Sequence, residues 1–155
     1  MRLHRTIAIA AAIVAFGAST VWAQGDVTSE QTRAIEAAIR TALVSEQVVF
    51  ESKDCEAAVA LFTVRDPLIY VDGRFVPDPD VRTMACGIME AASGVTARTL
   101  RSQSINVLSA TSAYSVSRYD LQLANDRSSS LTVTRIWQNV RGEWLIVHLQ
   151  QSGGL

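Results

Sequence analysis

The sequence predicts a single α+β domain, with three N-terminal helices followed by a long antiparallel sheet. Two patterns carry that expectation. Over residues 28–93 apolar positions recur mostly at helical spacing, between capping and turn residues. From residue 96 onward, β-branched and aromatic residues fill four runs divided by short polar turns. Helices first and strands after is the order of an α+β arrangement, since a meander pairs its own strands and offers one face to the helices.

The chain opens with the three parts of a secretory signal. Arg2 and Arg5 give a positive start, residues 7–18 an apolar core, and Val21-Trp22-Ala23 a cleavage site of the small-x-small type. The apolar run is shorter than the roughly twenty residues that span a bilayer, so cleavage is expected rather than retention as an anchor. This divides the chain into a signal peptide over 1–23 and one domain over 24–155. A periplasmic or secreted protein is expected, with no membrane attachment after cleavage.

Within the domain, Thr28 and Gln31 can close a capping box, and Ile35, Ile39, Ala42 and Leu43 form one helical face. Asp54 can cap a second, shorter helix carrying Ala57, Ala58, Leu61 and Phe62. A strand over 67–71 ends at the Asp72-Gly73 turn, with a short return over 74–76. Asp78-Pro79 is the expected opening of a third helix, buried through Val81, Met84, Ala85 and Ile88 and stopped by Ser93-Gly94. Cys86 lies off that stripe. Strands are then expected over 96–108, 111–124, 130–140 and 143–151.

Composition excludes several classes of function. The full-chain net charge of −1 includes Arg2 and Arg5, so the exported part is more acidic, and Lys53 is its only lysine. Nucleic-acid binding through phosphate neutralisation is not expected. His148 is the only histidine after cleavage, so no metal site and no cofactor are expected. Cys55 and Cys86 are the only cysteines. In an oxidising compartment an even pair usually means a bridge, which here would contribute roughly 3–4 kcal/mol by closing its loop. Two buried thiols or one reactive thiol are the alternatives.

The last strand pair reads Thr-Arg-Ile-Trp over 134–137, a polar turn around Gly142, then Trp-Leu-Ile-Val-His-Leu-Gln-Gln-Ser-Gly over 144–153. Strict alternation puts Trp144, Ile146, His148 and Gln150 on one face of the second strand, and Leu145, Val147 and Leu149 on the other. This hairpin resembles the C-terminal hairpin of the nuclear transport factor 2-like superfamily. Within it, the SnoaL-like bacterial proteins and the association domain of calcium/calmodulin-dependent protein kinase II are the nearest likenesses. The element order extends the resemblance over nearly the whole mature chain. It implies a strongly curved, cone-shaped antiparallel sheet wrapped around the helices, with a cavity at its open end. It also implies at least a homodimer, or a higher homo-oligomer, formed through the sheet.

Strand parity nominates the cavity lining. Tyr114, Val116, Arg118 and Asp120 share one face of their strand, and Val133, Arg135 and Trp137 one face of the next. In the kinase association domain, arginines at the places matching Arg118 and Arg135 project into the cavity and can receive a carboxylate. An arginine on a concave face keeps its charge, so it needs an anion from the protein or from a ligand. Asp120 is the expected internal partner of Arg118. The candidate ligand-binding set is Tyr70, Tyr114, Arg118, Arg135, Trp137, His148 and Gln150. Asp120 and His148 are the candidate bases should the protein be an enzyme.

Three functions follow. The first is an exported, non-catalytic binding or assembly domain taking a small organic ligand, with a carboxylate as the suggested class. A cofactor-independent isomerase, dehydratase or cyclase using the same cavity is the second. The third is a purely structural oligomerisation domain.

Overall fold

The structure is a computed structural model of the 155-residue chain, and it describes residues 27–62, 68–71, 74–75 and 80–153. The expected signal segment 1–23, the Asp72-Gly73 turn and the Asp78-Pro79 pair lie outside these residues.

Helix α1 spans Ser29–Ser52 and opens with the expected capping box. Gln31 N–H donates to the Thr28 hydroxyl at 3.2 Å, and Thr28 N–H donates to the Gln31 side chain at 2.9 Å. The helix stops at Lys53, whose φ of 57° turns the chain out of the helical path. Helix α2, Cys55–Val59, is capped by Asp54, which accepts from Ala57 N–H at 3.0 Å. Helix α3, Val81–Ala91, is capped by Asp80, two residues later than the Asp78-Pro79 pair suggested. A 3₁₀ turn, Ala92–Gly94, leads from it into the sheet. Cys55 and Cys86 are joined, so the bridge ties α2 to α3.

The strands are β1 (Leu68–Val71), β2 (Arg74–Phe75), β3 (Val95–Ser109), β4 (Ser112–Leu123), β5 (Ser128–Val140) and β6 (Glu143–Gly153). They form one open sheet in the order β2-β1-β6-β5-β4-β3. The pairs among β3, β4, β5 and β6 are antiparallel, as the meander predicts, whereas β1 joins β6 in parallel. Connectivity permits that parallel step: α3 lies between the small hairpin and the meander, so no tight turn forces β1 to run antiparallel to β6. Edge strand β3 carries three register shifts, which interrupt the row of unpaired backbone groups an edge would otherwise present. The β5–β6 turn has positive φ at both Arg141 and Gly142, as a two-residue hairpin turn requires.

Ile35, Ile39, Leu43 and Phe50 of α1 pack against Leu121, Leu131, Val133, Trp137, Ile146 and Leu149 of the sheet. The fold is thus the predicted α+β class, with helices against one face of a curled sheet. Among the described residues no helix is long and apolar enough to cross a membrane.

Candidate functional site

The inner face of β4 is Ala113, Ser115, Ser117, Tyr119 and Leu121, all buried. The sequence parity expected the opposite set inside, and the reason it fails lies on β5. Register sets Ala113 beside Trp137, Ser115 beside Arg135 and Ser117 beside Val133. Trp137 and Arg135 are both fully buried. Two such large side chains on one strand face need small neighbours, and the serines provide both the room and hydrogen-bond acceptors. Trp137 Nε1 donates to Ser115 Oγ at 2.9 Å, and Arg135 Nη1 donates to Ser117 Oγ at 3.4 Å.

A second correction concerns β6. Trp137 pairs with Ile146 but Ile136 pairs with His148, so Val147 is an extra residue in a bulge. One inserted residue reverses every face beyond it. Ile146 and Leu149 consequently both point inward. His148 and Gln150 come to the outer face, opposite Ile136 and Thr134. The set Leu145, Val147 and Leu149 is therefore not one outer stripe.

Of the seven candidate ligand residues, only Arg135 and Trp137 face the interior. Tyr70, Tyr114, Arg118, His148 and Gln150 share the outer face in register across β1, β4, β5 and β6. The Tyr70 and His148 rings lie there with centroids 5.6 Å apart. Partial burial holds the His148 imidazole below its ordinary pKa. Arg118 is exposed, and Asp120 pairs with Arg101 instead. Asp120 and His148, the two candidate bases, thus lie outside the interior cavity.

The chemistry inside the cone centres on residues the sequence reading did not nominate. Glu46 of α1 binds the buried Arg135 guanidinium, and Arg98 Nη2 of β3 donates to the same Glu46 oxygen at 3.3 Å. Side-chain exposures are 0% for Arg135, 3% for Arg98 and 15% for Glu46. The Arg98 guanidinium lies between two rings, 3.7 Å from the centroid of Tyr119 and 4.5 Å from that of Phe50. Burial alone would raise the Glu46 pKa, but the Arg135 and Arg98 charges outweigh it and hold the carboxyl below its ordinary value. Burial likewise opposes the charge on Arg135, and Glu46 together with Tyr119 more than offsets that. Glu46 was detectable in sequence, because Ile39, Leu43, Glu46 and Phe50 follow one helical stripe at spacings of four, three and four. Arg98 carried no comparable signal.

Two arginines sharing one carboxylate leave an unbalanced positive charge in the interior. Among the described residues, Glu46 Oε2, Arg98 Nε and Arg135 Nε are buried polar atoms without a hydrogen-bond partner. Glu46 and Arg98 line a chamber of about 50 Å³. A neighbouring chamber of about 340 Å³, sharing Phe50, Ile88, Leu131 and Gln151 with the first, is otherwise walled by apolar side chains including Val71, Met84, Val95 and Leu121. The arrangement suits an apolar molecule bearing one acidic group. Among the described residues, no three His, Cys, Asp or Glu side chains gather as a metal site would require.

No protein-family profile and no curated protein matches this chain. Solved structures do. A nuclear transport factor 2-like protein of unknown function from Shewanella oneidensis superposes with a TM-score of 0.65 at 15% identity, over 76% of this chain and 98% of that one. A candidate ketosteroid isomerase from Shewanella frigidimarina gives 0.61 at 18% identity, over 72% and 92%. A candidate calcium/calmodulin-dependent kinase II association domain from Exiguobacterium sibiricum gives 0.63 at 13% identity, over 79% and 95%. At such identities the likeness is one of fold. The helices against an open, curled sheet, and the neighbours they find, give this chain the nuclear transport factor 2-like fold.

Proposed function

We propose that the protein is an exported, non-catalytic binding domain whose interior takes a small organic acid. The observation that carries this reading is the buried set of two arginines on one carboxylate, beside a largely apolar cavity. A ligand carboxylate there would balance the excess charge and meet guanidinium donors already fixed by stacking. The bridge between Cys55 and Cys86 supports a non-cytoplasmic location, and with the signal-like residues 1–23 it favours the periplasm or the exterior.

An isomerase on the same cavity would need a base, and a carboxylate clamped by two guanidiniums is a weak one. Replacing Arg98 tests the binding reading with less risk to the fold than replacing Arg135, because the neutral Glu46–Arg135 pair survives. In calorimetry, butyrate and benzoate should bind the wild type. Arg98→Gln should weaken them by about 1.5–3 kcal/mol, the range for hydrogen bonds to charged groups. A wild type that binds neither acid, or an Arg98→Gln variant that binds as well, would sink the reading.

The same proposal includes a homodimer through the outer sheet face. Leu68 and Ile136 are 53% and 36% exposed there, with Tyr114, Val116 and His148 half-buried beside them. Light scattering at micromolar concentration should give a dimer that Ile136→Lys converts to monomer. Further burial of the neutral imidazole in an interface would favour its uncharged form. The dimer should therefore be full strength above the His148 pKa of the monomer, which already lies below the ordinary imidazole value, and weaken as pH falls below it. A monomer at every pH tested would rule this interface out.

A further inference from the structure

Arg98 also borders a space on the other side of α1. A groove of about 440 Å³ runs between α1 and β3, with Arg98 and Tyr119 in its wall. Along α1 it is flanked by Leu43, Val44 and Val48, and along β3 by Leu100 and Gln103. Val44, Val48 and Leu100 are 65%, 58% and 48% exposed, an apolar strip that the chain's own core leaves uncovered. Arg40 and Val44 stand one helical turn apart, as do Val44 and Val48, so the strip runs along the helix axis.

We infer that this groove is a second binding site, for an amphiphilic monocarboxylic acid whose acid group meets Arg98 and whose hydrocarbon body covers Val44, Val48 and Leu100. Two independent observations meet there. The first is the uncovered apolar strip. The other is a cation 3% exposed, held between two rings, with its Nε unpartnered among the described residues and only a shared carboxylate to balance it. An apolar surface alone would suit many occupants. Next to a buried guanidinium lacking a full counter-charge, it selects an apolar body joined to an anion. The other polar groups of the groove are the neutral Gln47, Gln103 and Tyr119 and the cation Arg40, none of which repels a carboxylate. Since Glu46, Arg98 and Arg135 together hold one excess charge, one anion satisfies it. Occupants of the groove and of the interior therefore exclude each other.

Isothermal calorimetry with octanoate and with octanol tests this. The wild type should bind octanoate, and octanol about tenfold or more weakly, because it lacks the charge. Val48→Gln and, separately, Leu100→Gln should each weaken octanoate by about tenfold or more, while butyrate binding is retained. Both positions are about half exposed, so either variant is expected to fold, and thermal melting checks it. Butyrate should compete with octanoate in the wild type. Octanol binding as tightly as octanoate, octanoate unaffected by both variants, or no octanoate binding at all would each overturn the inference. So would light scattering in which Val48→Gln and Leu100→Gln both dissociate a dimer, because the strip would then be a contact between copies. Failure of butyrate alone in the wild type would remove the interior reading and leave the octanoate comparison standing.

Discussion

Glu46→Gln is expected to lower the free energy of unfolding by about 3–5 kcal/mol, as measured by urea denaturation. The carboxylate is the counter-charge of two arginines that are 0% and 3% exposed, and its removal strands both in a low-dielectric interior. By contrast, Asp120→Asn removes the partner of an exposed arginine on the outer face and should leave stability nearly unchanged. Acid should mimic the first substitution. The Glu46 carboxyl titrates lower in the folded chain than in the unfolded one, so its contribution is full above the ordinary value of 4.5 and is lost as pH falls through the lower folded value. Unfolding followed across pH 3–6 should show this dependence in the wild type and a flatter one in Glu46→Gln. A change below about 1 kcal/mol on replacing Glu46 would mean the buried charges are satisfied in another way.

The second large effect belongs to the bridge. Replacing Cys55 and Cys86 with serine, or reducing them, should cost roughly 3–4 kcal/mol, the chain-entropy value for a loop with a sequence separation of 31 residues. The consequence should extend beyond global stability. The bridge holds α3 to α2, and Met84, Ile88 and Met89 of α3 line the interior chambers. Loosening that helix should weaken acids bound in the interior more than octanoate in the α1–β3 groove, which no α3 residue lines. Alkylation without reductant should leave both cysteines unlabelled. Labelling of either in freshly purified protein, or a serine pair as stable as the parent, would show that the bridge contributes little.

Much of the architecture was legible locally. The capping box at Thr28 and Gln31, the Asp54 cap and the Gly142 turn are encoded by adjacent residues, and the structure has each of them. The four long strands lie where β-branched and aromatic residues accumulate. Facing was harder to read. On β4 the inner residues include two serines, which sequence patterning takes for solvent-facing groups; they are inside because Trp137 and Arg135 fill the space across from them. On β6 the alternation was read as unbroken, yet the extra residue at Val147 moved His148 and Gln150 outward.

The sequence by itself determined the element order, the caps and turns, the α+β class, and the presence of a cysteine pair able to bridge. These depend on interactions within a few residues, or on hydrophobic periods that one element expresses alone. Only the tertiary structure decided which charges meet. Glu46 and Arg135 are separated by 89 positions, and Arg98 joins them from a third element across a separation of 52 from Glu46. No local period encodes such an encounter; it depends on strand register, including the shifts along β3, and on how α1 lies across the sheet.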